Sequence, residues 1–192
     1  GLRPMERHGM VRERSFSPQR VLESILFLSS RLANPEIHEV LKLRYFADKL
    51  HMSRYGFAIS GDSYSAMEFG PVASETYNIL KAARGDRNPW ISDEYHELVR
   101  GTLIVVKKDV FPQRDAKLEL LAPSDVACLE EAMNRWGGLN FKQRTKLSHD
   151  AAYEEAWAHA KEKDADAFEM PMRSIALTLE NPEEVSDYMK AR

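Results

Sequence analysis

The chain has 192 residues, a formal net charge of −3 and a pI near 6.1, and 43% of its residues are hydrophobic. This length and composition are typical of a soluble globular protein with one domain, and the slight acidity argues against a dedicated nucleic-acid-binding protein. A single cysteine, Cys128, excludes an intramolecular disulfide and a four-cysteine zinc site. Because no apolar run approaches the roughly 20 residues of a membrane helix and no signal peptide is evident, we expect a cytoplasmic protein.

Residues 1–17 are predicted to form a disordered or tag-derived arm, and residues 18–192 a single domain. The arm carries four arginines and little apolar content: Arg3, Arg7, Arg12 and Arg14. Such a composition is typical of a frayed terminus, and a basic arm that reaches a partner is the alternative. Gly1 is an unusual first residue, which suggests that residues 1–9 include tag sequence.

Three helices are predicted in the first half of the chain. Ser17-Pro18 is a helix start, since proline fits the first helical position, and apolar residues at helical spacing continue to residue 32. The second helix is expected over residues 35–51, and Gly56 permits a left-handed turn after it. The third is expected over residues 74–83.

Two short β elements are predicted between the helices. Residues 57–69 mix apolar residues with glycine, serine and aspartate, which indicates extended pieces joined by a hairpin turn at Ser60-Gly61-Asp62. Residues 102–107, with the sequence TLIVVK, are the clearest strand because they are rich in β-branched residues. We expect Lys117–Leu121 to pair with them in antiparallel fashion across a loop at residues 111–115.

The last third of the chain is predicted to be helical. Ser124 is expected to cap a helix that ends at Gly137-Gly138, and Asn140 to cap a short helix through Leu147. A further helix is expected over residues 150–163, and Asn181-Pro182 begins the last one. The predicted fold class is therefore α+β and predominantly α-helical, a compact helical domain with a small antiparallel β element.

Residues 56–63, with the sequence GFAISGDS, come close to the phosphate-binding motif G-x-x-x-x-G-K-[ST]. Asp62 stands where the motif requires lysine, so the charge that would meet a polyphosphate is reversed. We therefore interpret the two glycines as turn residues and not as a nucleotide site.

No arrangement of residues predicts catalysis or metal binding. Asp48 and His51 share a helical face, and we interpret them as a local hydrogen-bonded pair because no nucleophile motif accompanies them. The six histidines do not have metal-ligand spacing. Cys128 is expected in the core, and Trp90, Trp136 and Trp157 as core or boundary anchors. We expect no catalytic residue, no metal site and no cofactor.

One longer pattern is more specific. The run Lys42-Leu43-Arg44-Tyr45-Phe46-Ala47-Asp48 is followed by Tyr55-Gly56, by Gly61-Asp62 with Tyr64 and Ala66-Met67, and by Gly70-Pro71-Val72. This resembles the signature of the Panacea domain of SocA-like antitoxins, also described as phage-associated proteins, which reads K-L-L-Y-F-A-D, Y-G, G-D-x-Y-x-A-M and G-P-V. The resemblance is expected to span about residues 18–180. Departures from the family pattern include Arg44, Phe57-Ala58, Glu68 and Ala73.

The resemblance implies a mainly helical, non-enzymatic antitoxin that binds and neutralises a cognate protein toxin encoded by an adjacent gene. A member of the family delivers its toxin to a cytoplasmic protease, so a role as proteolysis adaptor is a further expectation. Our candidate partner-binding residues are Arg44, Tyr55, Asp62, Tyr64, Met67 and Glu68. The alternative for Tyr64 and Met67 is that they pack the hairpin onto the second helix.

Three other functions remain open at this point. A phage or mobile-element protein could use the same domain to bind a partner that is not a toxin. A DNA-binding autoregulator is a second alternative, against which the acidic pI and the lack of a helix-turn-helix pattern argue. An uncharacterised hydrolase is the third.

Overall fold

The computed structural model describes residue 2 and residues 14–191. Its helices are α1 (Pro18–Arg31), α2 (Ile37–Tyr55), α3 (Ser74–Arg84), α4 (Asp93–Val99), α5 (Pro123–Trp136), α6 (Phe141–Ser148), α7 (Ala151–Glu162), α8 (Met172–Ala176) and α9 (Pro182–Ala191). Its strands are β1 (Tyr64–Met67), β2 (Gly70–Ala73), β3 (Leu103–Val106), β4 (Asp109–Pro112) and β5 (Phe168–Met170). The predicted class, α+β and predominantly helical, is confirmed.

Helix α2 is the centre of the fold. It packs against α1, α3, α5, α6, α8 and α9 and against strand β2. Since neighbours cover it on most sides, its buried residues do not form a single apolar stripe, and charged residues of α2 are buried as well. The helix ends where Gly56 adopts a left-handed conformation, with φ of 90°.

The larger sheet has three antiparallel strands in the order β2-β1-β5. Strands β1 and β2 form a hairpin in which Tyr64 pairs with Ala73 and Met67 with Gly70, so the turn lies at Glu68-Phe69. The hairpin turn predicted at Ser60-Gly61-Asp62 is therefore wrong. Those residues precede β1, and the carboxylate of Asp62 instead binds the start of α3.

The smaller sheet consists of β3 and β4. The predicted strand at residues 102–107 is confirmed as β3, but its expected partner at Lys117–Leu121 is wrong. The chain reverses at once through Lys107-Lys108, where Lys107 has a φ of 57°, and Asp109–Pro112 pairs with β3. Residues 118–120 form a short 3₁₀ helix instead.

Several helix boundaries agree with the expectations, including the starts at Pro18, Phe141 and Pro182. The cap of α5 is not Ser124, as expected. Ala122 occupies the N-cap position, and the N–H of Ala122 donates to the side-chain carboxylate of Asp125 at 2.8 Å. Helix α8 and strand β5 were not predicted as separate elements. Trp90 is 80% exposed and is not a core anchor.

The arm predicted at residues 1–17 lies outside the described residues except for Leu2 and residues 14–17. Arg14 contacts the domain, since its guanidinium donates to the carbonyl of Ile59 at 3.1 Å and to the carboxylate of Asp125. Contacts of the domain therefore begin at least four residues before α1.

Candidate functional site

Several ionisable side chains of α2 are enclosed by the fold, among them Lys42, Arg44, Asp48 and His51. A buried charge is costly unless it is paired and hydrogen-bonded. All four belong to the sequence region that resembles the family signature. The hydrogen-bond and ion-pair partners of these side chains therefore show the structural role of the signature residues.

Arg44 and Asp48 connect α2 to α1 and to the segment before β1. Arg44 donates to Ser24 Oγ at 2.7 Å and to Ser60 Oγ at 2.9 Å, and lies 3.5 Å from the Asp48 carboxylate. Asp48 accepts hydrogen bonds from the Tyr64 hydroxyl at 2.6 Å and from the Ile59 N–H at 2.9 Å. Burial raises the pKa of Asp48 more than Arg44 and these hydrogen bonds lower it. This cluster fixes the entry of β1 onto α2.

Lys42 holds the β1–β2 hairpin on the same helix. Its ammonium donates to the Pro71 carbonyl at 2.8 Å. Burial, followed by the nearby Arg144, lowers the pKa of Lys42 to about 7. Gly70 packs directly over the lysine stem, so that a Cβ atom at this position would lie 2.7 Å from Lys42 Cε.

His51 makes a third set of contacts. Its Nδ1–H donates to the Phe57 carbonyl at 2.6 Å, which leaves Nε2 to accept from Ser124 Oγ at 2.9 Å. Burial lowers the pKa of His51 to about 4, so the ring is neutral at pH 7. The Asp48–His51 hydrogen bond predicted from their spacing is wrong, because each side chain has other partners. Although Ser124 and His51 resemble a nucleophile and its base, the histidine is fully buried and not open to a substrate.

Asp62 is the N-terminal cap of α3, supplied from a distant part of the chain. Its carboxylate accepts hydrogen bonds from the N–H groups of Glu75 at 2.9 Å and Thr76 at 2.7 Å and from the Thr76 hydroxyl at 2.9 Å. The helix itself provides no capping side chain, since Ala73 occupies the N-cap position. The aspartate that breaks the phosphate-loop motif thus satisfies helix donors that would otherwise lack a partner.

The structure separates the predicted partner-binding residues. Arg44, Asp62 and Tyr64 are at most 3% exposed, so they are interior residues and not a docking surface. Asp62 and Tyr64 border a cavity of about 200 Å³ but present almost no surface to it. Tyr55 and Met67 are partly exposed, and Glu68 is exposed at the hairpin turn. For Tyr64, the alternative of hairpin packing agrees with the structure.

An exposed apolar surface occurs elsewhere, on the small sheet. Ile104, Val106 and Phe111 point away from the domain and are 45%, 53% and 47% exposed, and Ile104 is the direct cross-strand partner of Phe111. We call these three residues the β3–β4 outer face. This face was not predicted from the sequence, although Leu103–Val106 is apolar at every position and does not alternate with polar residues.

None of the helices in the described part of the chain is long and apolar enough to cross a membrane. Within the same part of the chain, no three histidine, cysteine, aspartate or glutamate side chains are grouped so that they could hold a metal ion.

Comparison with known proteins gives one match. The family model described as antitoxin SocA-like, Panacea domain, matches residues 40–158, which is more than half of the chain. Neither the curated proteins nor the solved structures contain a match. The matched region begins in α2, ends in α7 and includes the buried Lys42, Arg44, Asp48 and Asp62. The chain therefore belongs to the SocA-like antitoxin family and contains its Panacea domain.

Proposed function

We propose that this protein is an antitoxin that binds a cognate protein toxin and neutralises it by direct contact, without catalysis. Membership of the SocA-like antitoxin family is the observation that carries the proposal. The structure supports the proposal because several ionisable side chains of α2 are buried and hydrogen-bonded within the fold. Lys42, Asp48 and His51 are enclosed and hydrogen-bonded within the domain, whereas apolar side chains are exposed.

Neutralisation by contact requires a surface that can exclude water when the toxin binds. Protein interfaces have an apolar, often aromatic centre and a polar rim. The exposed Phe69 and Phe141, whose ring centroids lie 5.4 Å apart, and the β3–β4 outer face are surfaces of this composition. Either surface could form the apolar centre of an interface with a toxin.

Co-expression tests the proposal. The open reading frame adjacent to the gene for this protein is placed under an inducible promoter, alone and together with this chain. We expect growth arrest when the neighbour is expressed alone, and normal growth with a stable complex when both are present. A harmless neighbour, or a toxic one that is neither bound nor neutralised, would contradict the proposal.

The proposal also separates direct binding from delivery to a protease. If binding is sufficient, the purified chain inhibits the purified toxin without any protease or ATP, and the amount of toxin in cells is unchanged by co-expression. If the chain acts as an adaptor, neutralisation requires a protease, and the half-life of the toxin falls. Toxin abundance in protease-deficient cells distinguishes these two routes.

A further inference from the structure

The last part of the chain forms an apolar groove that is lined by methionines. A cavity of about 200 Å³ is bordered by Met52, Met170, Met172 and Met189. A second depression, of about 550 Å³, lies between α8 and α9 and is also bordered by Met189, so the two are adjacent. Leu177, which is 64% exposed, lines the second one. We call the two depressions together the methionine groove.

Methionine suits a site that encloses part of another molecule. Its side chain is unbranched and flexible, so it adapts to the shape of an incoming apolar group. Met172 and Met189 are partly exposed, whereas Met52 and Met170 are buried. The groove is concave and can therefore surround a side chain of a partner, as the pockets at the centre of protein interfaces do.

Exposed charges border the groove, and carboxylates outnumber cations among them. Glu169, Glu183 and Asp187 are exposed at its edge, against the exposed Arg173 and Lys190. None of these five side chains forms an ion pair within the described part of the chain. Their charges are therefore available to a partner.

The surplus of carboxylates extends beyond the edge of the groove. Residues 154–191 contain ten acidic and four basic side chains, whereas the whole chain has a formal net charge of only −3. Helix α7, which carries Glu154 and Glu162, packs on β5 and α8. Among the described residues, these two glutamates are paired with His149 and His159 and not with lysine or arginine. Most of the negative charge near the groove is therefore uncompensated.

We infer that the methionine groove docks a basic segment of the toxin, and that an apolar side chain of this segment enters the groove. This inference rests on the proposed function and specifies its site. Burial of the apolar side chain provides the affinity, while the carboxylates attract and orient the lysines or arginines beside it. Nucleic acid fits badly, because the acidic surplus repels its phosphates.

A second copy of the chain is the competing occupant. Its residues 1–13 contain three arginines and are the terminal segment that would enter the groove. They also contain two glutamates, so their surplus is one positive charge against six negative charges in residues 154–191. Charge therefore favours a toxin with a more basic segment over self-association.

Methyl NMR locates the docked toxin directly. The full chain has eight methionines, and it is labelled with ¹³C in their ε-methyl groups and titrated with the unlabelled product of the adjacent toxic gene. Each signal is assigned by substituting leucine for one methionine. We expect the signals of Met172 and Met189 to shift until the toxin is stoichiometric, and those of Met67 in β1 and Met133 in α5 to stay unchanged.

Two triple variants of the full chain test the charge. Each loses three exposed carboxylates, at the groove in Glu169→Gln/Glu183→Gln/Asp187→Asn and elsewhere in the matched control Asp115→Asn/Glu119→Gln/Glu130→Gln. Calorimetry measures their affinity for the toxin after thermal unfolding has shown that both are folded. We expect the groove variant to bind about tenfold or more weakly than the control at low salt, with a smaller difference at high salt.

A pair of double variants tests the apolar contact. Leu177→Gln/Met189→Gln changes the groove, and Leu118→Gln/Leu147→Gln changes two exposed leucines elsewhere. We expect the groove variant to bind the toxin at least about 30-fold more weakly than wild type, as for the loss of an interface hot spot. The control should bind as wild type does.

The failure of this inference can be distinguished from that of the proposed function. If wild type neutralises the toxin but only the Met67 signal shifts, the toxin docks at the β1–β2 hairpin, and the inference is overturned while the proposed function stands. Equal toxin affinity of the folded groove variants and their controls has the same meaning. If wild type does not bind the toxin, the proposed function fails and the inference fails with it.

Self-association would also overturn the inference. In this outcome, wild type without toxin forms dimers or larger species in sedimentation experiments, and the Leu177→Gln/Met189→Gln variant is monomeric. Both forms nevertheless bind the toxin equally well. The groove would then hold a second copy of the chain and not the toxin.

Discussion

The carboxylate of Asp62 accepts hydrogen bonds from two backbone N–H groups of α3 and from the Thr76 hydroxyl, and it also accepts one from the Ser63 N–H at 2.7 Å. A single side chain thus orders the segment before β1 and the first turn of α3. Because Asp62 and Thr76 are both buried, removing the carboxylate leaves these donors without their protein partner and with little access to bulk water. The residue is structural, and its effect should be visible in stability.

We predict that Asp62→Ala lowers the free energy of unfolding by about 2–4 kcal/mol, the combined cost of a lost cap and unsatisfied buried donors. Asp93→Ala is the control, since Asp93 is exposed in the first turn of α4 and its removal should cost about 1 kcal/mol or less. Urea denaturation measures both. Equal losses in the two variants would show that Asp62 does not cap α3.

Lys42 should make the stability of the domain depend on pH. Its pKa is lowered to about 7 in the fold, mainly by burial, from an ordinary value of 10.5. Between these two pH values the unfolded chain binds a proton that the folded chain has released, so stability rises with pH across this range. Below pH 7 the lysine is charged in both states and its contribution no longer changes.

We therefore predict that wild type gains stability relative to Lys42→Met as the pH rises from 7 to 10. The difference between the two unfolding free energies, measured by denaturant titration at each pH, isolates the lysine because the other titrating groups are common to both proteins. The variant also loses the hydrogen bond to the Pro71 carbonyl, which should offset the curves by a nearly constant amount. A difference that does not change with pH would rule out a lowered lysine pKa.

At the scale of elements, the β1–β2 hairpin depends on a close approach to α2. Gly70 has a φ of 122°, which disfavours other residues, and an added Cβ would lie 2.7 Å from Lys42 Cε and 2.8 Å from Ser148 Oγ. A side chain at position 70 would therefore suffer both backbone strain and crowding. A glycine where a side chain would suffer only backbone strain provides the matched control.

We predict that Gly70→Ala destabilises the domain more than Gly85→Ala does. Gly85 has a φ of 90° but no atom within 4 Å of an added Cβ, so its substitution should cost only the conformational strain of about 1–2 kcal/mol. Thermal and urea unfolding of both variants gives the difference. If both lose the same stability, the hairpin does not pack closely on Lys42.

Local signals in the sequence predicted the helices well and the strand pairing poorly. Helix ends are set by capping residues that are adjacent in sequence, such as Asn140, Asp150 and Gly56, so these ends can be predicted from local sequence. The partner of β3 depends on whether the chain reverses at Lys107-Lys108, a turn without the glycine or asparagine that normally indicates one. Strand β5 pairs with β1 from about a hundred residues away, and no local pattern specifies such a contact.

The candidate site was harder to predict than the fold. The family signature singled out residues that make buried hydrogen bonds in the fold. It did not show that Arg44 and Tyr64 face inward, because burial of a polar side chain depends on tertiary partners, here Ser24 and Asp48. Asp62 caps a helix that begins more than ten residues later, which also exceeds the reach of a local rule. The exposed face of β3 was readable in principle from its uninterrupted apolar run.

For the whole molecule, the buried signature residues connect the elements of the fold, and the exposed Phe69, Ile104 and Phe111 lie within the same matched region. Signature residues such as Lys42, Asp48, Asp62 and Gly70 connect α2, the hairpin and α3 from inside. Under the proposed function, we expect exposed residues to make the contact with the toxin.

The central claim is that the chain neutralises a toxin by stoichiometric binding. The most direct test titrates a fixed amount of the purified toxin with the purified chain and measures the remaining toxin activity. We predict that activity falls linearly to zero at one fixed molar ratio and that longer incubation changes nothing. Progressive loss of activity at a small fraction of that ratio, or no loss at any ratio, would contradict the account.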